Sequence, residues 1–218
     1  AYDHVDELKK IADETNNASD LTLMLRLDIA TSGAAYALAG KFGTALETAP
    51  FLLQCARQMA SSIGVCFHVG SQCMNPAAYD VAISAIATML AGTNIKIDVM
   101  DVGGGFPVNY PGMQPPPMAE YFSVIHNALH ANGFAGVEIL CEPGRALVAE
   151  AGSLATRIEL RKGSDLYLND GTYGALFDAG TSEWPFAMTL VSGDDRHCTD
   201  VETSYRFFGP TCDSIDKM

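Results

Sequence analysis

The sequence predicts an α/β fold built from parallel strand–helix units and followed by a β-rich segment, and three observations carry that prediction. Four short apolar runs of strand length alternate with stretches of helical length. Glycines and polar residues gather where those runs end, which is where parallel α/β folds assemble their sites. Beyond about residue 162 the helical regularity gives way to short runs bounded by Gly, Asp and Pro.

Taken in order, Val5, Leu8, Ile11 and Ala12 recur at helical spacing and predict an amphipathic helix over about 3–16. LTLMLRLDIA (21–30) reads as the first strand, and a helical pattern runs from about Glu47 to Ser61. The alternation then repeats, with IGVCFHV (63–69) as strand and 76–90 as helix, Pro76 suiting its first turn. IKIDVMDV (95–102) is the next strand, 116–133 a helix ended by Gly133, and VEILCEP (137–143) the fourth strand. Strands separated in this way by helices require right-handed crossovers and a parallel sheet covered on both faces. Periodicity leaves open whether they form half of an eight-stranded barrel or part of a doubly wound sheet. The runs 166–170 and 186–191 read as strands of a second domain, so the chain divides into 1–150 and 151–218.

With 218 residues, 48% apolar and 18% charged, the chain is too long and too apolar to be disordered. A net charge of −13 repels nucleic acid and anionic lipid and favours a cationic small molecule. No apolar run approaches the roughly 20 residues of a membrane span, and the first residues carry neither a signal nor a transit pattern, so a soluble, cytoplasmic protein is expected. Six cysteines without a CxxC pair read as free thiols in a reducing compartment. A start at Ala1 and a stop at Met218 inside GPTCDSIDKM predict an internal piece of a longer protein.

Five motifs carry chemistry. In DVGGGFP (101–107), Gly103, Gly104 and Gly105 follow a strand directly; their backbone suits either an anion nest or a flexible turn. CEPGR (141–145) places the Glu142 carboxylate, Gly144 and the Arg145 guanidinium at the next strand end, as an interior ion pair or as walls of the same pocket. HVGSQ (68–72) offers His68 and Ser71 at the pocket rim. Cys66, His68 and Cys73 lack a fourth ligand at metal-site spacing, so no metal is expected. NDGTYG (169–174) reads as a turn. GPTCDSID (209–216) sets a thiol beside a carboxylate, Cys212 and Asp213, as a proton donor with an acid or as a merely structural cysteine.

The order and spacing of these five motifs resemble the ornithine decarboxylase-like family, pyridoxal-phosphate-dependent decarboxylases with the alanine racemase type of fold. The resemblance runs over essentially the whole chain. It implies that residues 1–150 are the later half of a (β/α)8 barrel that binds the cofactor, and that 151–218 begin a β-domain. It implies roles for single residues too. Glu142 matches the carboxylate that pairs with the pyridine nitrogen, and His68 the imidazole against the ring. Ser71, Gly103 to Gly105, Gly144 and Arg145 match the phosphate cradle. Cys212 matches the proton donor and Asp213 the acid that binds the distal ammonium of a basic amino acid, with Asp178 or Glu183 as a second acid there. Arg26 matches a position near the active site.

Family members share active sites across a head-to-tail homodimer, which puts Lys41, Tyr173 and Asp216 at the interface. Lys41 and Asp216 resemble a cross-subunit ion pair of surface charges worth under about 1 kcal/mol. Aspartate at 213 resembles the diamine-forming branch, which makes ornithine to putrescine the expected reaction, with lysine alongside it. Diaminopimelate decarboxylase and a catalytically silent regulatory homologue are the alternatives. Two family features have no match here: the Schiff-base lysine, in a motif resembling AVKCN, and the later glycine-alanine-tyrosine segment. The resemblance therefore implies that the 218 residues alone are inactive.

Overall fold

The first element described is α1 (Val5–Glu14), where the His4 imidazole caps the helix by accepting the Asp6 amide and where Asp6 and Glu7 face the positive end of the helix dipole. The computed structural model describes residues 1–29, 32–38, 40–182, 184–191 and 203–218, so Glu183 and the cysteine at 198 lie outside the described residues. Two compact units emerge, one of Ala1–Val108 with Pro115–Ala149 and the other of Asn109–Gln114 with Glu150–Met218.

In the first unit, β1 (Thr22–Arg26), β2 (Ala34–Tyr36), α2 (Ala49–Met59), β3 (Ser62–Cys66), β4 (Ser71–Cys73), α3 (Ala77–Leu90), β5 (Val99–Asp101), α4 (Met118–Ala131), β6 (Glu138–Leu140) and α5 (Gly144–Val148) follow in chain order. The sheet β1-β3-β5-β6 is parallel throughout, as the alternation predicts. Its helices bury one stripe each. Ala49, Leu52, Leu53 and Ala56 in α2 and Tyr121, Ile125, Ala128 and Leu129 in α4 recur at three- and four-residue spacing and join Leu25, Ile63, Val65 and Met100 of the strands in one core. Burying each of the Leu, Ile, Val and Met side chains contributes about 1.5–3 kcal/mol.

The strands are shorter than their apolar runs, for local reasons. Ile63 donates its amide to the Asp98 carboxylate, which also takes the Arg57 guanidinium at 2.7 Å, so a side chain replaces a ladder carbonyl at the start of β5. At its other end the Asp101 side chain takes the Gly103 amide. In this unit sequence reasoning missed three elements. β2 and β4 form a small antiparallel pair, Ala34 opposite Cys73 and Tyr36 opposite Ser71, and α5 starts inside the CEPGR motif, directly after Pro143.

The second unit holds a three-stranded sheet of β7 (Ile158–Lys162), β8 (Asp165–Leu168) and β9 (Arg206–Phe208), with the short α6 (Phe177–Thr181). β7 and β8 form a hairpin whose turn uses Gly163 at φ +61°. The expected strand at 186–191 is absent: those residues have no regular structure. Among the described residues no helix is long and apolar enough to cross a membrane.

Candidate active site

Register brings the motifs of the first unit together. Arg26 lies opposite Cys66, Cys66 opposite Asp101, and Asp101 opposite Leu140, so the chain leaves all four strands along one row. Beyond the last three of these ends come FHVGSQ, VGGG and CEPGR. They enclose a cavity of about 210 Å³ walled by His68, Ser71, Gly104, Gly105, Glu142 and Arg145, with Gly144, Gln72, Leu38 and Phe106 beside them.

Each wall group has a defined posture. The His68 Nδ1 accepts the Gly70 amide at 3.0 Å, which leaves the ring proton on Nε2. Burial first, and the Arg26 charge second, hold its pKa below the ordinary 6.5 against the pull of Asp101, so the imidazole is neutral at pH 7. A depressed pKa means that the unfolded chain binds the proton more readily than the folded one. The stability contributed by His68 is therefore complete above about pH 6.5 and is lost as the pH falls through the lower folded value. Proton NMR titration of His68 is expected to give a midpoint below that of free imidazole, and His68→Asn should flatten the stability slope between about pH 7 and 5. An unshifted midpoint would contradict this.

The three glycines are not equivalent. The Gly103 amide is spent on Asp101 at 2.8 Å and its carbonyl takes the Glu142 amide at 2.9 Å. Gly103 also stands outside the cavity wall, and with both its backbone groups engaged it spaces the loop. Gly104 and Gly105 use their carbonyls to accept the Tyr79 hydroxyl at 2.9 Å and the Cys73 amide at 2.8 Å. Their own amides make no hydrogen bond among the described residues. A Cβ on Gly104 would sit 2.9 Å from His68 Nε2, and one on Gly105 2.5 Å from the Gly70 carbonyl oxygen.

Arg145 reaches from α5 and donates Nη2 to Ser71 Oγ at 3.2 Å. Gln72 is the residue that the motif reading passed over. Buried, with φ +53°, it clamps Val108 by donating to its carbonyl at 2.5 Å and accepting its amide at 3.1 Å, which ties the glycine loop to β4. Its place as the last letter of HVGSQ was the available signal. Burial pushes the neighbouring Cys66 thiol up to about 11 and keeps it protonated.

The second unit has its own open hollow of about 550 Å³, walled among others by Glu159, Tyr167, Phe208, Thr211, Asp213 and Asp216. The Asp213 carboxylate accepts the Tyr173 hydroxyl at 2.5 Å and the Ile215 amide at 3.1 Å. Those bonds, the phenol's first, hold its pKa below the ordinary carboxylate range. Cys212 and Asp178 are exposed and stand outside the wall, and Glu183 is outside the described residues. Lys41 is exposed with its ammonium 5.1 Å from the Phe42 ring centre. Asp216 is not the surface charge that was expected. It is 1% exposed, and its oxygens take hydrogen bonds from Thr172 and Thr211, which lower its pKa in spite of opposing burial.

Comparison with known proteins places this geometry. Residues 1–149 match the family model described as pyridoxal-dependent decarboxylase, pyridoxal binding domain. The chain is similar to the ornithine decarboxylase of Mus musculus, 32% identical over all of this chain and 51% of that protein. It is also similar to antizyme inhibitor 2 of Xenopus laevis, 31% identical over all of this chain and 51% of that one. Among solved structures, the lysine/ornithine decarboxylase of Vibrio vulnificus complexed with putrescine superimposes with TM-score 0.73 at 30% identity, over 99% of this chain and 56% of that one. The chain thus spans about half the length of the curated relatives it matches.

Proposed function

The chain belongs to the pyridoxal-dependent decarboxylase family, and from that premise we propose that the whole protein removes the α-carboxylate of a basic amino acid, converting L-ornithine to putrescine and acting on lysine as well. Its parallel units are part of the family's (β/α)8 barrel, and its sheet-rich part follows the barrel. Pyridoxal phosphate is the cofactor. We read 1–150 as the cofactor-binding portion and 151–218 as the start of the β-domain that carries the Cys-Asp pair.

The cavity supports the cofactor on its own chemistry. At about 210 Å³ it is smaller than the roughly 300–1,000 Å³ of drug-sized sites and suits one substituted ring better than a dinucleotide. A guanidinium, a hydroxyl and two uncommitted glycine amides at one cavity suit a phosphate, and a carboxylate in the same wall suits a protonated ring nitrogen. Any side chain at Gly104 would intrude between His68 and the Glu142 backbone. When bound, the cofactor supplies a conjugated pyridine ring that takes up the electron pair left by departing carbon dioxide.

The chain's residues then divide the work. Arg145, Ser71 and the amides of Gly104 and Gly105, with Gly144 in the wall, would hold the phosphate. Glu142 would hold a proton at the ring nitrogen, and neutral His68 would confine the ring without adding a competing charge. The Cys212 thiol would return a proton to the α-carbon, and the ionised Asp213 would bind the distal ammonium, with Asp178 a second acid for it. We place Cys212, Asp213 and Tyr173 in the active site of a second copy in a head-to-tail homodimer, with Lys41 at the same interface; their exposure supports that reading. The free cysteines at 55, 66, 73, 141 and 212 support a reducing, cytoplasmic setting.

The observation that carries the proposal is the shared cavity of Glu142, Arg145 and Gly104. The test is carbon dioxide release by the full-length protein, loaded with pyridoxal phosphate, from ornithine, lysine and meso-diaminopimelate. Ornithine is expected to show the highest kcat/KM. A preference for diaminopimelate would transfer the protein to that branch, and tight cofactor binding without turnover would make it a silent regulatory homologue.

A further inference from the structure

We infer that Asp216 is a positioning residue, a buried clasp that locks the NDGTYG and GPTCDSID loops together and thereby fixes the orientation of Asp213. One carboxylate oxygen accepts the amide and hydroxyl of Thr172 at 2.8 and 3.0 Å, and the other accepts the amide and hydroxyl of Thr211 at 3.1 and 2.7 Å. Four donors from two loops thus converge on one side chain that solvent does not reach. The Asp216 amide donates to the Asp213 carbonyl at 3.1 Å, and its carbonyl takes the Gly209 amide at 2.9 Å, which closes the turn that holds Cys212.

The sequence makes room for this carboxylate. A Cβ on Gly171 or on Gly209 would collide with it, one glycine from each motif. The clasp also sits one step from the working acid on either side. Thr172 is the neighbour of Tyr173, whose hydroxyl donates to Asp213, and Thr211 precedes Asp213 by two residues and takes its amide at 3.4 Å. Opening the clasp lets Tyr173 and Asp213 drift apart. It also explains why a motif that reads as a plain turn sits 40 residues from the Cys-Asp pair yet touches it.

The inference rests on the proposed reading of Asp213 as the ammonium-binding acid, so the test includes one readout that needs no turnover. In the full-length protein, Thr211→Val removes a hydroxyl donor, Thr211→Ser keeps it, and Asp216→Asn sets an NH2 group against the backbone amide of Thr172 or Thr211. Thr211→Val and Asp216→Asn are expected to raise KM for ornithine by roughly tenfold, with kcat within about threefold and cofactor absorbance unchanged. Thr211→Ser is expected to restore KM to within about twofold. Carbon-13 NMR should show Asp213 titrating higher in the two impaired variants, as its phenol partner is lost. A merely structural role would lower folded yield while leaving the Asp213 titration of the folded fraction unmoved. Wild-type KM together with an unshifted Asp213 overturns the inference. If the wild-type protein turns over no basic amino acid, the functional reading falls, and the Asp213 titration alone decides whether the clasp positions it.

Discussion

Replacing Glu142 by glutamine in the full-length protein is expected to lower kcat by roughly 10- to 1,000-fold while cofactor content stays near wild type. The split follows from the division of the cavity wall. On the proposed reading the phosphate grip falls to Arg145, Ser71 and the Gly104 and Gly105 amides, none of which the substitution changes. What changes is the negative charge proposed to favour a proton on the ring nitrogen. An adjacent opposite charge moves a pKa by about 1–3 units, and each unit is about 1.4 kcal/mol, or tenfold in the protonated fraction once the pKa lies below the working pH. Glu142→Asp keeps the charge and is expected to lose far less. Steady-state carbon dioxide release beside cofactor absorbance checks both. A Glu142→Gln enzyme with wild-type kcat would remove the carboxylate from the proposed chemistry.

That Glu142 shares a cavity with glycines some 40 residues away was legible in the sequence, because parallel strands in register end in one row and whatever follows them must meet. The row Arg26, Cys66, Asp101 and Leu140 is that rule made concrete. What stayed illegible depends on partners distant in the chain. Gly103, Gly104 and Gly105 look alike as letters, and only the Asp101 side chain and the Phe67 carbonyl set Gly103 apart from its two neighbours. Asp216 reads as a terminal surface charge until Thr172, 44 residues earlier, is brought against it. β2 and β4, of three residues each, carry no periodicity to detect, and the five residues of α5 begin with Gly144 and Arg145 after a proline, a pattern that reads as loop. The tertiary contacts that defeat a local reading are thus the ones that finish the site.

Gly103 yields the largest expected effect on stability. It sits at φ +72°, a backbone region that costs an L-residue about 1–2 kcal/mol, and a Cβ there would press into the Phe67 carbonyl oxygen. That oxygen belongs to rigid backbone, since Phe67 is fully buried and donates its amide to the Asp101 carbonyl at 3.2 Å. The loop cannot swing away either, because the Gly103 amide is held by Asp101 and its carbonyl by the Glu142 amide. Overpacking of such a site adds about 1–3 kcal/mol, so Gly103→Ala is expected to destabilise the full-length protein by about 2–5 kcal/mol. Against a typical total of about 5–15 kcal/mol this is a large fraction, and cofactor affinity should fall with it as Gly104 and Gly105 are displaced. Gly136→Ala is the matched control: nothing lies within 4 Å of its added methyl, and a change within about 0.5 kcal/mol is expected. Urea unfolding of both variants, with cofactor binding measured in parallel, separates the outcomes. Equal stability of the two would show that the loop relaxes freely, and the tight packing of the glycine turn against Phe67, just after β3, would lose its role in shaping the cavity.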